Sequence, residues 1–315
     1  MLLLSLLIAL FLFYAFAGYY ASSLAIGEHP EWRKFTAQPA DFGVPAEVVS
    51  FDSGDGTPLK AWWLPTAATA LGNVVLAHGR DANRSRMLPY AAFLVRHRYN
   101  VLAVNLQNHG ESGGKYITSG YLEARDILAA VTYVRQRGER GPIAVLGRSY
   151  GAVAALRAAA DSPDIAAVIS DSGFSSTETM MANTTRSLLR SKETPWWAKG
   201  LLLLSRCPGL YTAVAIVMYA RTGHYPASET TRVMPVLARL HKPVLFISGD
   251  KDFIAPTEDA QKMFNATAGT QKFLYIVPNA GHNETLSADP TGYERAVLDF
   301  LAKVTTPGPA ALSRP

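Results

Sequence analysis

The amino-acid sequence predicts an α/β fold: a mostly parallel, doubly wound eight-stranded sheet with an inserted helical cap and an N-terminal membrane helix. Three observations predict it. From Asn73 to Lys303, short runs rich in Val, Ile and Leu alternate with helix-length segments, the pattern of βαβ crossovers covering a sheet on both faces. The interval from Ser170 to Val244 is far longer than an ordinary crossover and reads as an insertion. No charged side chain occurs between Met1 and Gly27.

That first segment comes first in the chain. Leu2–Ile26 supplies the roughly 20 apolar residues that a helix needs to cross hydrocarbon. Tyr19 and Tyr20 suit a membrane interface, so residues 1–27 read as a single-pass anchor. A cleaved signal is the competitor, with Ala15-Phe16-Ala17 before Gly18 as its cleavage site, and a buried soluble helix is the third reading. No Lys or Arg precedes the apolar run, which continues past Ala17 to Leu24, and both facts speak against cleavage. Arg33 and Lys34 are offset by Glu28 and Glu31, so charge leaves the orientation open.

Residues 28–44, with His29-Pro30, Gln38-Pro39 and Val44-Pro45, read as an extended linker. The domain then spans 45–304. Its first two strands, Glu47–Phe51 and Leu59–Trp63, are joined by the hairpin signal Ser53-Gly54-Asp55-Gly56-Thr57, so the sheet begins antiparallel. Strands follow at Asn73–Ala77, Val101–Asn105, Ile143–Leu146, Ala167–Ser170, Val244–Ser248 and Lys272–Val277. Between them lie helices at Arg84–Arg98, Tyr121–Arg137, Ser149–Ala160, Thr257–Asn265 and Thr291–Lys303. The cap occupies 172–242. Residues 305–315, with Pro307, Pro309 and Pro315, read as a disordered tail.

Composition narrows the class. Of 315 residues, 49% are hydrophobic and 17% charged, which excludes a disordered chain. The single cysteine, Cys207, excludes an intrachain disulfide and any CxxC metal or redox site. The net charge is +5, but residues 172–242 hold nine Lys or Arg against three Glu, so the rest of the chain is slightly acidic. In that segment Trp196-Trp197 precedes Leu201–Leu204, and Ala213–Met218 is wholly apolar. These residues either roof the domain or dip into a bilayer, where tryptophans and cations favour the interface. No helix-turn-helix or finger pattern accompanies the charge, so nucleic acid is not an expected partner.

The chemistry is carried by Gly147-Arg148-Ser149-Tyr150-Gly151, which directly follows a buried strand and opens an Ala-rich helix. A sharp strand-to-helix turn would hold Ser149 above the sheet, with glycines at Gly147 and Gly151 for close backbone approach. A serine hydroxyl needs a general base, and His282 lies on the glycine loop after the last strand. His29, His97, His224 and His241 fall in the linker, surface and cap, while His78 and His109 sit on strand-end loops suited to structure or substrate contact. The base needs an orienting carboxylate. Asp252 is the choice, Asp250 reads as a turn residue, and Asp171 is the fallback. An oxyanion hole would use the backbone N–H groups of Arg80 and Tyr150, with His78 and Gly79 beside it at the substrate.

The order Ser149…Asp252…His282, the elbow, His78-Gly79, and His109-Gly110-Glu111-Ser112-Gly113-Gly114 after the strand Val101–Asn105 together resemble the α/β-hydrolase superfamily over about residues 45–304. The likeness is strongest to membrane-anchored members of serine aminopeptidase and acylglycerol-lipase type. The chain departs from that pattern at Asn105-Leu106-Gln107-Asn108, where the family often carries Asp and Arg. The resemblance implies a serine hydrolase acting on an ester, thioester or amide, without metal or cofactor. Its expected partners are a small-molecule or lipid acyl substrate and a membrane. A peptidase on the same scaffold and a non-catalytic membrane interaction module are the alternatives.

Overall fold

The computed structural model describes residues 2–27, 30–80, 82–118, 120–196, 199–200, 203, 209–223 and 232–305. Strands β1 (Glu47–Asp52), β2 (Pro58–Leu64), β3 (Gly72–Ala77), β4 (Tyr99–Asn105), β5 (Ile143–Arg148), β6 (Ile165–Asp171), β7 (Val244–Gly249) and β8 (Lys272–Val277) form one sheet in the order β1-β2-β4-β3-β5-β6-β7-β8. β2 runs antiparallel to both β1 and β4, and all later pairs are parallel. The antiparallel start follows from the turn after β1. There the Ser53 N–H donates to the Thr57 carbonyl at 2.8 Å, and Gly56 takes a φ of 81°.

Alternation along the strands divides the interior into two cores. Val75 and Ala77 of β3, Leu102 and Val104 of β4, and Val145 of β5 face one side. Val74, Leu76, Val101, Ala103 and Leu146 face the other. Because both faces are apolar, the strands read as continuous hydrophobic runs. The described helices are α1 (Leu2–Ile26), α2 (Leu88–Arg96), α3 (Glu123–Gln136), α4 (Tyr150–Asp161), α5 (Thr177–Arg190), α6 (Leu210–Thr222), α7 (Met234–Leu237), α8 (Thr257–Ala266), α9 (Thr285–Ala288) and α10 (Pro290–Thr305). α3, α4 and α8 cover the first core, and α2 and α10 cover the second.

Two segments differ from the sequence expectation. Arg84–Arg98 is a 3-10 turn, Arg84–Met87, followed by α2, with Pro89 in the first turn of the α-helix where a missing N–H costs nothing. Residues 30–44 are not an extended linker. They form two 3-10 turns, Pro30–Arg33 and Pro39–Phe42, and bury Trp32 and Val44. Trp32 stacks on His109 at 5.1 Å, and the Asn83 side-chain amide donates to the carbonyls of Trp32 and Lys34. Arg84 fills the same region from within. Its guanidinium lies 4.8 Å from the Phe35 ring and 4.4 Å from the Trp62 ring, and it pairs with Glu111 at 2.6 Å. The apolar side chains of this segment are what dock it.

The interval between β6 and β7 carries α5, α6 and α7. α6 lies beside α1 and runs in the same direction. Gly18 faces Ala213, and Arg221 donates to the hydroxyls of Ser22 at 2.9 Å and Ser23 at 2.7 Å while covering the Tyr19 ring. Beyond this contact the flank of α1 from Leu3 to Phe13 is exposed, and Leu3–Tyr20 is long and apolar enough to cross a membrane. Trp196 is exposed. Trp197, Leu201, Leu202, Leu204, Cys207, His224 and the 306–315 part of the expected tail lie outside the described residues.

The loop after β4, where the expected Asp and Arg are missing, is braced from elsewhere. Asn105 accepts the Arg84 backbone N–H at 2.8 Å, and the fully buried Asp126 of α3 accepts the Gln107 N–H at 2.7 Å. Burial pushes the Asp126 carboxyl well above its ordinary range. The Gln107 N–H opposes that shift, and Glu123 adds to it. The folded protein therefore binds more protons than the unfolded chain between the two pKa values, and stability falls as pH rises through that window. Asp126→Asn keeps an acceptor for Gln107 and cannot ionise. Its stability relative to the unmodified protein is expected to rise as pH is raised above the ordinary carboxylate range. Denaturant midpoints over that rise in pH check this, and a difference that does not grow with pH overturns it.

Candidate active site

β5 ends at Arg148 and α4 begins at Tyr150, which leaves Ser149 alone to make the turn, at φ 51° and ψ −113°. Few non-glycine residues adopt such a backbone, and it persists here because the surroundings leave no alternative. A Cβ on Gly147 would collide with the Gly151 carbonyl, and one on Gly151 would collide with the carbonyls of Ala77 and His78. Both elbow glycines are thus required by backbone approach, as the motif implies.

The Ser149 Oγ lies 3.0 Å from His282 Nε2, and His282 Nδ1 lies 2.8 Å from Asp252 Oδ2. The other Asp252 oxygen accepts the N–H groups of Ile254 at 2.9 Å and Ala255 at 2.8 Å. One carboxylate oxygen is held by the backbone and the other is aimed at the ring, so the carboxylate plane is fixed. Asp250 is exposed and meets the site only through its backbone, donating its N–H to the Val277 carbonyl at 3.1 Å.

Asp171, the fallback acid, points elsewhere. It is fully buried and accepts hydroxyls from Thr285 (2.8 Å), Ser172 (3.1 Å), Tyr293 (3.1 Å) and Tyr90 (3.4 Å). Burial raises its carboxyl above the usual range, against the pull of Arg148. The same burial raises both tyrosines. Through Thr285 this cluster ties down the chain just past His282. Arg148 ties it again, donating to the Asn283 carbonyl at 2.5 Å while lying over the Tyr90 ring. Arg148 and Asn283 occupy positions that a motif leaves free, so nothing in the sequence singled them out.

His78 does not reach the substrate side. Its ring is fully buried, with Nδ1 2.6 Å from the Gly79 carbonyl and Nε2 accepting the Leu106 N–H at 3.1 Å. Burial, with neighbouring His109 second, holds it well below the ordinary imidazole range, in the neutral form these two bonds require. The expected substrate contact is therefore a brace between the ends of β3 and β4. Gly79 and Arg80 do line a cleft of about 410 Å³ together with Ser149, Tyr150 and His282. Tyr150 is the first residue of α4, where N–H groups have no intrahelical acceptor. Arg86, Met180, Thr184 and Ile254 complete the walls and were not foreseen.

The chain is 28% identical over 272 residues to YfhR of Escherichia coli (strain K12), an alignment covering 83% of this chain and 82% of that protein. It is 28% identical over 233 residues to YqkD of Bacillus subtilis (strain 168), covering 72% and 70%. Both relatives are uncharacterized. The structure of the Pyrococcus furiosus esterase Pf2001 superposes with a TM-score of 0.72 at 24% identity, over 89% of this chain and 99% of that one. The profile of the Alpha/beta hydrolase family matches residues 74–296, from β3 into α10 and across every strand of the parallel sheet, and the chain belongs to that family.

Proposed function

We propose that the protein is a serine hydrolase that cleaves an acyl ester, lipid-like in character. The observation that carries this reading is the continuous relay from Ser149 through His282 to Asp252, at 3.0 and 2.8 Å. In the proposed cycle the Ser149 oxygen attacks the ester carbonyl while His282 Nε2 takes its proton. The tetrahedral oxyanion is held by the N–H groups of Arg80 and Tyr150. Collapse breaks the bond to the alcohol, which leaves with the proton from His282. Water, deprotonated by His282, then attacks the acyl-enzyme and releases the acid and the free serine. Asp252 holds the ring in the tautomer that presents Nε2 as base and stabilises the imidazolium.

Purified protein assayed on p-nitrophenyl esters of increasing chain length, beside acyl-thioester and aminoacyl substrates, tests the reading. Turnover of the esters is expected. Turnover confined to aminoacyl substrates would establish a peptidase.

The membrane part of the reading is supported by the uncharged α1 and by α6, whose Ile216 and Tyr219 are exposed beside it. The full-length protein is expected to sediment with membranes, resist carbonate extraction and keep its N-terminus. A soluble mature chain beginning at Gly18 would replace the anchor with a signal peptide.

A further inference from the structure

The cleft at Ser149 is lined by three arginines, Arg80, Arg86 and Arg148, and by no Asp or Glu among the described residues. A serine hydrolase for neutral esters has no need of that charge. Among the described residues no ion pair involves Arg86 or Arg148, although the charge of Arg148 also acts on the buried Asp171. Arg86 is exposed, and its guanidinium has no hydrogen bond or ion pair among the described residues. Arg148 uses one terminal nitrogen on the Asn283 carbonyl, and its Nε is buried without a partner. Beside it the Asn283 side-chain oxygen is also buried without a partner. The unpartnered Arg148 Nε–H is a donor that an anionic oxygen would satisfy, whereas the Asn283 oxygen is an acceptor and would take a hydroxyl.

A second cleft, of about 670 Å³, adjoins the first and shares Arg86, Arg148 and Asn283 with it. It runs on past Tyr90 and Leu286. Its one carboxylate among the described residues, Glu294, is 3.9 Å from Arg96 and so faces a cation of its own. The two clefts therefore meet at a positively charged junction. The first cleft is also lined by the apolar side chains of Met180 and Ile254. The cleft at the serine thus combines apolar and cationic lining.

We infer that this junction is an anion subsite, and that the substrate is an acyl ester whose alcohol half carries a phosphate or a carboxylate. This deepens the ester-hydrolase reading and rests on it. The acyl chain lies against Met180 and Ile254. The anionic alcohol half extends across Arg86 and Arg148 into the second cleft. Arginine suits such a group because its planar fork meets two oxygens at once. Hydrolysis leaves the alcohol with its anion in the second cleft and the acid with its chain in the first.

The test compares three octanoyl esters on the full-length protein: monooctanoylglycerol, which is neutral, octanoylglycerol phosphate, and O-octanoyl lactate. A charge-assisted contact corresponds to roughly 10- to 100-fold in kcat/KM. At least one anionic ester is expected to exceed the neutral one by that factor, and whichever does so identifies the anion as phosphate or carboxylate. Arg86→Gln is expected to lower the anionic-to-neutral ratio by about 10-fold or more, with Arg86→Lys recovering part of it. Glycerol phosphate or lactate should also slow fluorophosphonate labelling of Ser149, and less so in Arg86→Gln, which reads the contact without turnover. Equal use of all three esters, or a ratio unchanged in Arg86→Gln, overturns the subsite and leaves the hydrolase standing. Failure to turn over any of the three, the neutral ester included, removes both.

Discussion

Ser149→Ala is expected to abolish labelling by a fluorophosphonate and to lower ester turnover by about 10⁴-fold or more, with the melting temperature nearly unchanged. The size follows from the relay. On the proposed mechanism, loss of the hydroxyl removes the acyl-enzyme and leaves only binding and oxyanion stabilisation by Arg80 and Tyr150. Stability should hold because the strained φ of 51° is imposed by the neighbouring backbone and not by the hydroxyl. Alanine inherits the strain without adding to it. The measurement is a labelling gel, a rate and a melt on the same preparation. Labelling that persists at another serine in the variant sinks the assignment.

Asp252→Asn should lower kcat by about 10³–10⁴-fold. The amide nitrogen of asparagine would face His282 Nδ1 as a donor. It would drive the ring into the tautomer whose protonated Nε2 cannot accept from Ser149. Asp250→Asn, changing an exposed side chain, should stay close to the unmodified rate. Asp171→Asn should act mainly on the melting temperature, since its carboxylate gathers four hydroxyls and does not touch the imidazole. Should Asp171→Asn match Asp252→Asn in kcat while melting normally, the orienting acid is misassigned.

The strands were legible because the sheet is covered on both faces, so each buried strand is a continuous apolar run with little competition from other readings. Ser149, Asp252 and His282 were legible because each follows a strand at the same edge of the sheet, where loops converge. What escaped depends on which way a side chain turns. His78 ends a strand on the correct edge, yet its ring turns inward to Leu106. Arg84 enters the sequence reading only as the first residue of a helix, because no local pattern announces that Phe35 and Trp62 will close over its guanidinium. Residues 30–44 carry the prolines of a linker, and only Trp32 hints that the segment docks. Arg148 and Asn283 lie 135 positions apart, a pairing that periodicity cannot reveal.

The 133 residues between Ser149 and His282 also set an order of events during synthesis. At about 5–20 residues per second, the serine emerges roughly 7 to 27 s before the histidine. Within that interval β3, β4, β5, α4 and β6 all become available, and they supply the elbow's own contacts, including the Ser149 N–H bond to the Asp171 carbonyl at 2.8 Å. Ser149 is therefore synthesised well before the histidine it would need as a base. Asp252 arrives behind β7 and His282 behind β8, and the Arg148 and Thr285 ties close last. A chain that ends before β8 lacks His282 and with it the partner of the Ser149 hydroxyl.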